Sequence, residues 1–164
     1  MNRLLLVCCA LLGTMFSQQS PKEPAPAPTP LKEYSYPSDG FSMKFPYAPE
    51  PHTDSIRSYF KVWTIHLSQG AAISMRLKLD SEPCDVVLEK LKNMAKAQSL
   101  SIREFSVSGR PAWEEKEHAR GDTVVLERFV CGIGRYYVLT FVWPPNQPRP
   151  QLGMEVMDSF RLIK

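Results

Sequence analysis

The spacing of apolar and polar positions changes period several times along the chain, and each change marks an element. Tyr34-Ser35-Tyr36 runs into the turn sequence Pro37-Ser38-Asp39-Gly40, after which Phe41, Met43 and Phe45 alternate with Ser42 and Lys44. That pattern predicts a hairpin-like opening. A proline-interrupted loop over 46–51 leads to a long aromatic strand over 57–67, a turn at Gln69-Gly70 and a return strand over 71–79. In the return strand Ile73, Met75, Leu77 and Leu79 share one face, while Ser74, Arg76, Lys78 and Asp80 share the other. Such alternation belongs to an antiparallel sheet covered on one side.

From Pro83 the period lengthens, with Cys84, Val87, Leu88, Leu91, Met94 and Ala95 recurring at three and four. This predicts an amphipathic helix with Ser81 as N-cap and Pro83 in the first turn. Strand signals resume over 101–107, turn at Ser108-Gly109-Arg110-Pro111, continue to His118 and turn again at Arg120-Gly121-Asp122. Two further strands, over 123–131 and 136–143, flank the tight Gly132-Ile133-Gly134-Arg135 connection. A stiff loop over 144–150 then precedes a short helix with Leu152, Val156 and Met157 inward and a terminal strand through Phe160 and Leu162. No internal repeat is present. The sum is an α+β domain in which an antiparallel β-sheet packs against helices segregated from it.

The N-terminal pattern is of another kind. Arg3 precedes an apolar stretch over 4–16, and Ser17, Gln18, Gln19 and Ser20 follow. This is the layout of a secretory signal peptide, expected over 1–17 with cleavage near Ser17. Cys8 and Cys9 invite a lipoprotein reading, but Val7 stands where a small residue should precede a lipidated cysteine, so lipidation is not expected. The next stretch, 18–32, contains PKEPAPAPTP, whose proline density favours extended polyproline II and predicts a spacer. The ordered domain is expected over 33–164, long enough to build its own core.

Composition then narrows the classes. The chain has 164 residues and a net charge of +3, with Lys and Arg interspersed among Glu and Asp, so no clustered basic face points to nucleic acid. No apolar run reaches the roughly 20 residues of a membrane-spanning helix.

The string YSYPSDGFSMKFP at 34–46, the GRPAW turn and strand at 109–113 and the closing DSFRLIK at 158–164 together resemble the PsbP-like superfamily. That superfamily is named for an extrinsic photosystem II subunit and includes a Ran-binding import factor and many exported bacterial domains. The resemblance covers about 33–164. It implies an α/β/α sandwich and a habit of binding other proteins, and it supplies no catalytic motif to carry over. Nothing marks a chloroplast transit peptide, so the photosynthetic role is not implied.

Candidate chemistry thins out on geometry. Ser58 and Lys61 match S-x-x-K, but that pair meets only on a helix, whereas these residues lie in a strand pattern. Strict alternation through Glu114, Glu115, Glu117 and His118 would put Glu114 with His118, about 13 Å apart at about 3.3 Å per residue, and Glu115 with Glu117. Gly132-Ile133-Gly134 lacks the third glycine of a dinucleotide fingerprint and enters a strand. His52 and His66 have no His or Cys neighbour at ligand spacing, with His52 expected in the proline loop and His66 in the long strand. No catalytic residue, metal or cofactor is therefore expected. Export permits a disulfide between Cys84 and Cys131, and two buried free thiols are the commoner outcome; both stay open here. The 144–150 loop presents Asn146, Gln147 and Arg149 on a stiff backbone and is the expected partner-binding loop.

The expected function is a non-enzymatic binding or scaffold module, exported to the periplasm or secreted as a monomer, whose partner is an unknown protein or small ligand. The alternative is a hydrolase whose site is assembled only in the fold. A pocket holding Glu114, His118 or His66 beside another polar group would favour it.

Overall fold

The structure is a computed structural model that describes residues 30–53, 60–79 and 82–163. The expected signal peptide, nearly all of the expected spacer, and Ser58 and Ser81 lie outside the described residues. β1 (Lys32–Tyr36) and β2 (Phe41–Phe45) form the opening hairpin, with Tyr36 opposite Phe41, and the C-terminal β11 (Arg161–Leu162) pairs with β2 to complete a three-stranded sheet. Lys32, assigned above to the spacer, is the first residue of β1.

Among the described residues the larger sheet has eight strands. These are β3 (Pro51–Thr53), β4 (Phe60–His66), β5 (Ala72–Leu79), β6 (Ile102–Val107), β7 (Arg110–Glu115), β8 (His118–Arg120), β9 (Thr123–Cys131) and β10 (Arg135–Trp143). Their order is β3-β4-β5-β10-β9-β7-β6, with β8 also on β9, and every pairing is antiparallel. The alternation in β5 survives: Ile73, Met75 and Leu77 are buried, while Ser74, Arg76 and Lys78 are half-buried on the other face.

The two faces of this sheet are covered differently. On one, Trp63, Ile73, Met75, Leu139 and Phe141 pack against Phe41, Met43 and Phe45 of the small sheet and against Val156 and Met157 of α2 (Gln151–Asp158). On the other, Cys84, Val87, Leu88 and Ala95 of α1 (Cys84–Ala97) cover Trp113, Phe129, Cys131 and Val138. The expected α/β/α sandwich is thus only half present. At about 1.5 Å per residue, α2 is about 12 Å long, too short to cover the sheet, and the aromatic side chains of the small sheet take that place.

Other differences are local. His52 lies in β3, a short edge strand where a proline is tolerated, opposite Val62 of β4. The helix starts at Cys84 with Pro83 in the N-cap position and no side-chain cap, so Pro83 precedes the first turn, and Ser81 is not the N-cap. Met94, placed above on the apolar face, is 58% exposed. Among the described residues no helix is long and apolar enough to cross a membrane.

Candidate functional site

The pairing of β7 and β8 on β9 redistributes the glutamates. Glu114 stands opposite Arg128 and His118 opposite Val125, so four steps on one side match three on the other. The extra residue is a bulge at Lys116-Glu117, and it reverses the side-chain alternation. His118 therefore joins Glu115, with its Nδ1 3.8 Å from Glu115 Oε2, and the expected pairing of Glu114 with His118 and Glu115 with Glu117 does not form. Glu117 instead ion-pairs with Arg149.

Glu114 faces the opposite side of the sheet. Arg128, itself buried, donates from Nε and Nη2 to Glu114 Oε2 at 3.0 and 2.7 Å and from Nη1 to the Met157 carbonyl at 2.8 Å. Arg103 Nη2 donates to Glu114 Oε1 at 2.8 Å. A cavity of about 340 Å³ does contain Glu114, Lys116, Glu117 and Arg149. Its carboxylates are held by guanidinium groups, and this arrangement fastens the end of α2 to the sheet.

On the α1 side, Glu115 and Glu127 are both buried. Burial, then the charge of Glu127, push the Glu115 carboxyl above the usual range. Glu127 is the better compensated: Arg76 Nη2 donates to its Oε1 at 3.2 Å, Thr140 Oγ1 donates there at 3.0 Å, and Arg120 Nη2 reaches Oε2 at 3.4 Å. Lys61, the base position of the S-x-x-K match, bonds Asp39 at 2.6 Å. His66 is exposed at the end of β4, as His52 is in β3, and no cluster of three or more His, Cys, Asp or Glu able to hold a metal occurs among the described residues.

The 144–150 loop follows β10. Gln147 donates its backbone N–H to the Pro144 carbonyl at 3.2 Å, and its side-chain oxygen is buried without a hydrogen-bond partner among the described residues. Arg149 is tied to Glu117, and Asn146 is exposed. The structure thus does not bring the three side chains together as one free surface.

A site that the residue pattern did not single out lies at the other end of β10. The turns at Pro37–Gly40, Ser108-Gly109 and Gly132–Gly134 meet the C-terminal Leu162-Ile163 there and enclose a cavity of about 420 Å³. Its apolar lining includes Tyr137, Leu162, Ile163 and Ile133, which is 75% exposed, and Arg110 and Arg135 stand beside it. Gly40 has φ +72°, and a Cβ there would come within 3.0 Å of the Tyr137 hydroxyl. This bare backbone lets Tyr137 donate to the Asp39 carbonyl at 2.7 Å. Arg135 Nη1 donates to the Ser38 carbonyl at 3.1 Å. Burial pushes the Tyr137 phenol up to about 12, so it remains a proton donor at any physiological pH. The available signal was the placement of Arg110 and Arg135 beside glycine turns; that those turns converge is a tertiary fact.

Cys84 and Cys131 are joined by a disulfide with Cα atoms 5.6 Å apart, which links the start of α1 to the end of β9, next to the turn lining the cavity. Of the two outcomes left open above, the structure has the bridged one.

No family model matches the chain, and no curated protein matches it in sequence. Solved structures do match. The solution structure of cyanobacterial PsbP (CyanoP) from Synechocystis sp. PCC 6803 superposes with a TM-score of 0.55 at 14% identity, covering 96% of this chain and 98% of that one. A crystal structure from Bacteroides thetaiotaomicron VPI-5482 gives a TM-score of 0.50 at 14% identity, covering 81% of this chain, which spans about half (48%) of that protein. With the mainly antiparallel sheet and two helices described above, the match to cyanobacterial PsbP gives the chain a PsbP-like fold.

Proposed function

We propose that the chain is an exported, non-enzymatic binding module. The observation that carries this reading is the cavity between the turns, whose apolar lining beside two guanidinium groups that meet no carboxylate among the described residues suits recognition. The disulfide supports passage through an oxidising compartment, and the signal-peptide layout of 1–17 supports export. The PsbP-like fold is compatible with a protein-binding role. In this reading the proline-rich stretch ahead of β1 is a spacer that holds the domain away from its point of attachment or exit, and the 144–150 loop, with Asn146 outward, is a second contact.

The test is photocrosslinking of the full chain in its native compartment from Ile133 and, separately, from Asn146, with mass spectrometry of the adducts and of the mature N-terminus. One recurrent partner and a new N-terminus near Ser17 are expected, and an Asn146 adduct weakened by Arg149→Ala and Gln147→Ala would assign the loop a share. Adducts scattered over abundant proteins, or a chain still beginning at Met1 in the cytoplasm, would overturn the reading. So would hydrolysis of ester, peptide or glycoside substrates that is lost in Glu115→Gln.

A further inference from the structure

The arginines of the described residues divide into two groups. Arg76, Arg103, Arg120, Arg128 and Arg149 each meet a carboxylate. Arg110, Arg135 and Arg161 meet none among the described residues. Arg110 has no side-chain bond there, Arg135 reaches the Ser38 carbonyl, and Arg161 donates to the carbonyls of Asp158 and Phe160. These three stand along one depression. The cavity beside Arg110 and Arg135 is followed by a second, of about 390 Å³, bounded by Phe105, Phe160 and Arg161, where Asp158 is already paired with Arg128 and Arg103 with Glu114, and Ser108 lines both cavities. Leu162 and Ile163 border the first, and Phe160 and Arg161 the second. The extended C-terminal stretch therefore runs beneath the whole trough, held by the bond from the Leu162 N–H to Ser108 Oγ at 3.1 Å.

We propose that this trough binds an extended acidic peptide segment of a partner protein, with the carboxylates on Arg110, Arg135 and Arg161 and alternate apolar side chains over Ile133, Leu162 and Phe105. Two properties select that occupant. Three uncompensated guanidinium groups beside an apolar surface complement carboxylates carried on an apolar chain, and guanidinium accepts carboxylate in a two-bond fork. The depression follows an extended backbone through two successive cavities, so an extended chain fills it where a compact anion would occupy one half. Charges at the rim of such a site govern encounter and salt dependence.

This inference rests on the binding-module reading, and its test is separate. Full-length oxidised protein is titrated into a fluorescein-labelled peptide of alternating Glu and Val and read by anisotropy. A peptide with Lys for Glu, laurate and inorganic phosphate serve as competitors. Saturable binding that weakens with salt is expected, with Kd raised about tenfold by Arg135→Gln, the size of losing one partly screened charge pair, and by more than that by Arg110→Glu, which reverses the charge. Lys96→Ala, exposed on α1 across the large sheet from the trough, should leave it unchanged. Arg110 makes no side-chain bond among the described residues, so Arg110→Glu keeps the test independent of folding, and thermal melts check the Arg135 variant. Equal affinity for the Lys peptide, or no change in Arg110→Glu, overturns the proposal. Binding of laurate or phosphate with no binding of the Glu peptide overturns it too, by assigning the trough to a small amphiphile or a free anion. A recurrent crosslinked partner found while the peptide fails would leave the binding-module reading standing and this trough excluded.

Discussion

Glu115 Oε2 is buried, has no hydrogen-bond partner among the described residues, and has His118 Nδ1 3.8 Å away. Its carboxyl is raised mainly by burial, so between the ordinary carboxylate range and its folded-state value the folded chain holds a proton that the unfolded chain has released. With more protons bound in the folded state, stability falls as pH rises through that window and stays lowered above it. Glu115→Gln removes the ionisation. Its melting temperature relative to the parent should therefore be higher at neutral pH than at a pH of about 4, where both side chains are neutral. Melts of both proteins at the two pH values check this, and a gap that stays constant would contradict it.

At the scale of elements, α2 shows how close packing overrides propensity. Gly153 is buried in this helix, and a Cβ there would come within 2.1 Å of the edge of the Phe141 ring. Alanine would favour the helix by about 1 kcal/mol, whereas overpacking a filled core costs about 1–3 kcal/mol. Gly153→Ala should thus lower the melting temperature by several degrees; a rise would mean that Phe141 yields freely. The same contrast between local and tertiary causes explains what could be read beforehand. The alternation in β5, the three-and-four spacing of α1 and the glycine turn between β9 and β10 are written in neighbouring residues. The bulge at Lys116-Glu117, the small covering sheet and the Glu114–Arg128 pair are not, because each depends on which distant strand lies opposite. β3 was hidden for a related reason: its proline reads as a break unless the strand is known to be an edge. The trough combines both kinds, since its turns were visible and their meeting was not.

For the molecule as a whole, the disulfide closes a loop between residues 47 apart in sequence. On the chain-entropy account such a bridge stabilises by about 4 kcal/mol. Replacing both cysteines by alanine should lower the denaturation midpoint accordingly, and reductant should lower the parent midpoint while leaving the double variant unmoved. An equal response of both proteins to reductant would show that the bridge is not the cause.

The closed segment also contains a defined half of the large sheet, β6, β7, β8 and β9 with α1, while β3, β4, β5 and β10 remain outside. Tension applied between the N-terminal stretch and the C-terminus would pass through the sulfur–sulfur bond and bypass everything between Cys84 and Cys131. About 150 Å of contour, at about 3.3 Å per residue, would remain withheld from extension, and β6 to β9 would stay unloaded while the strands outside the ring peeled away. For a domain pulled at both ends, oxidation therefore sets which half of the sheet bears load and which is sheltered.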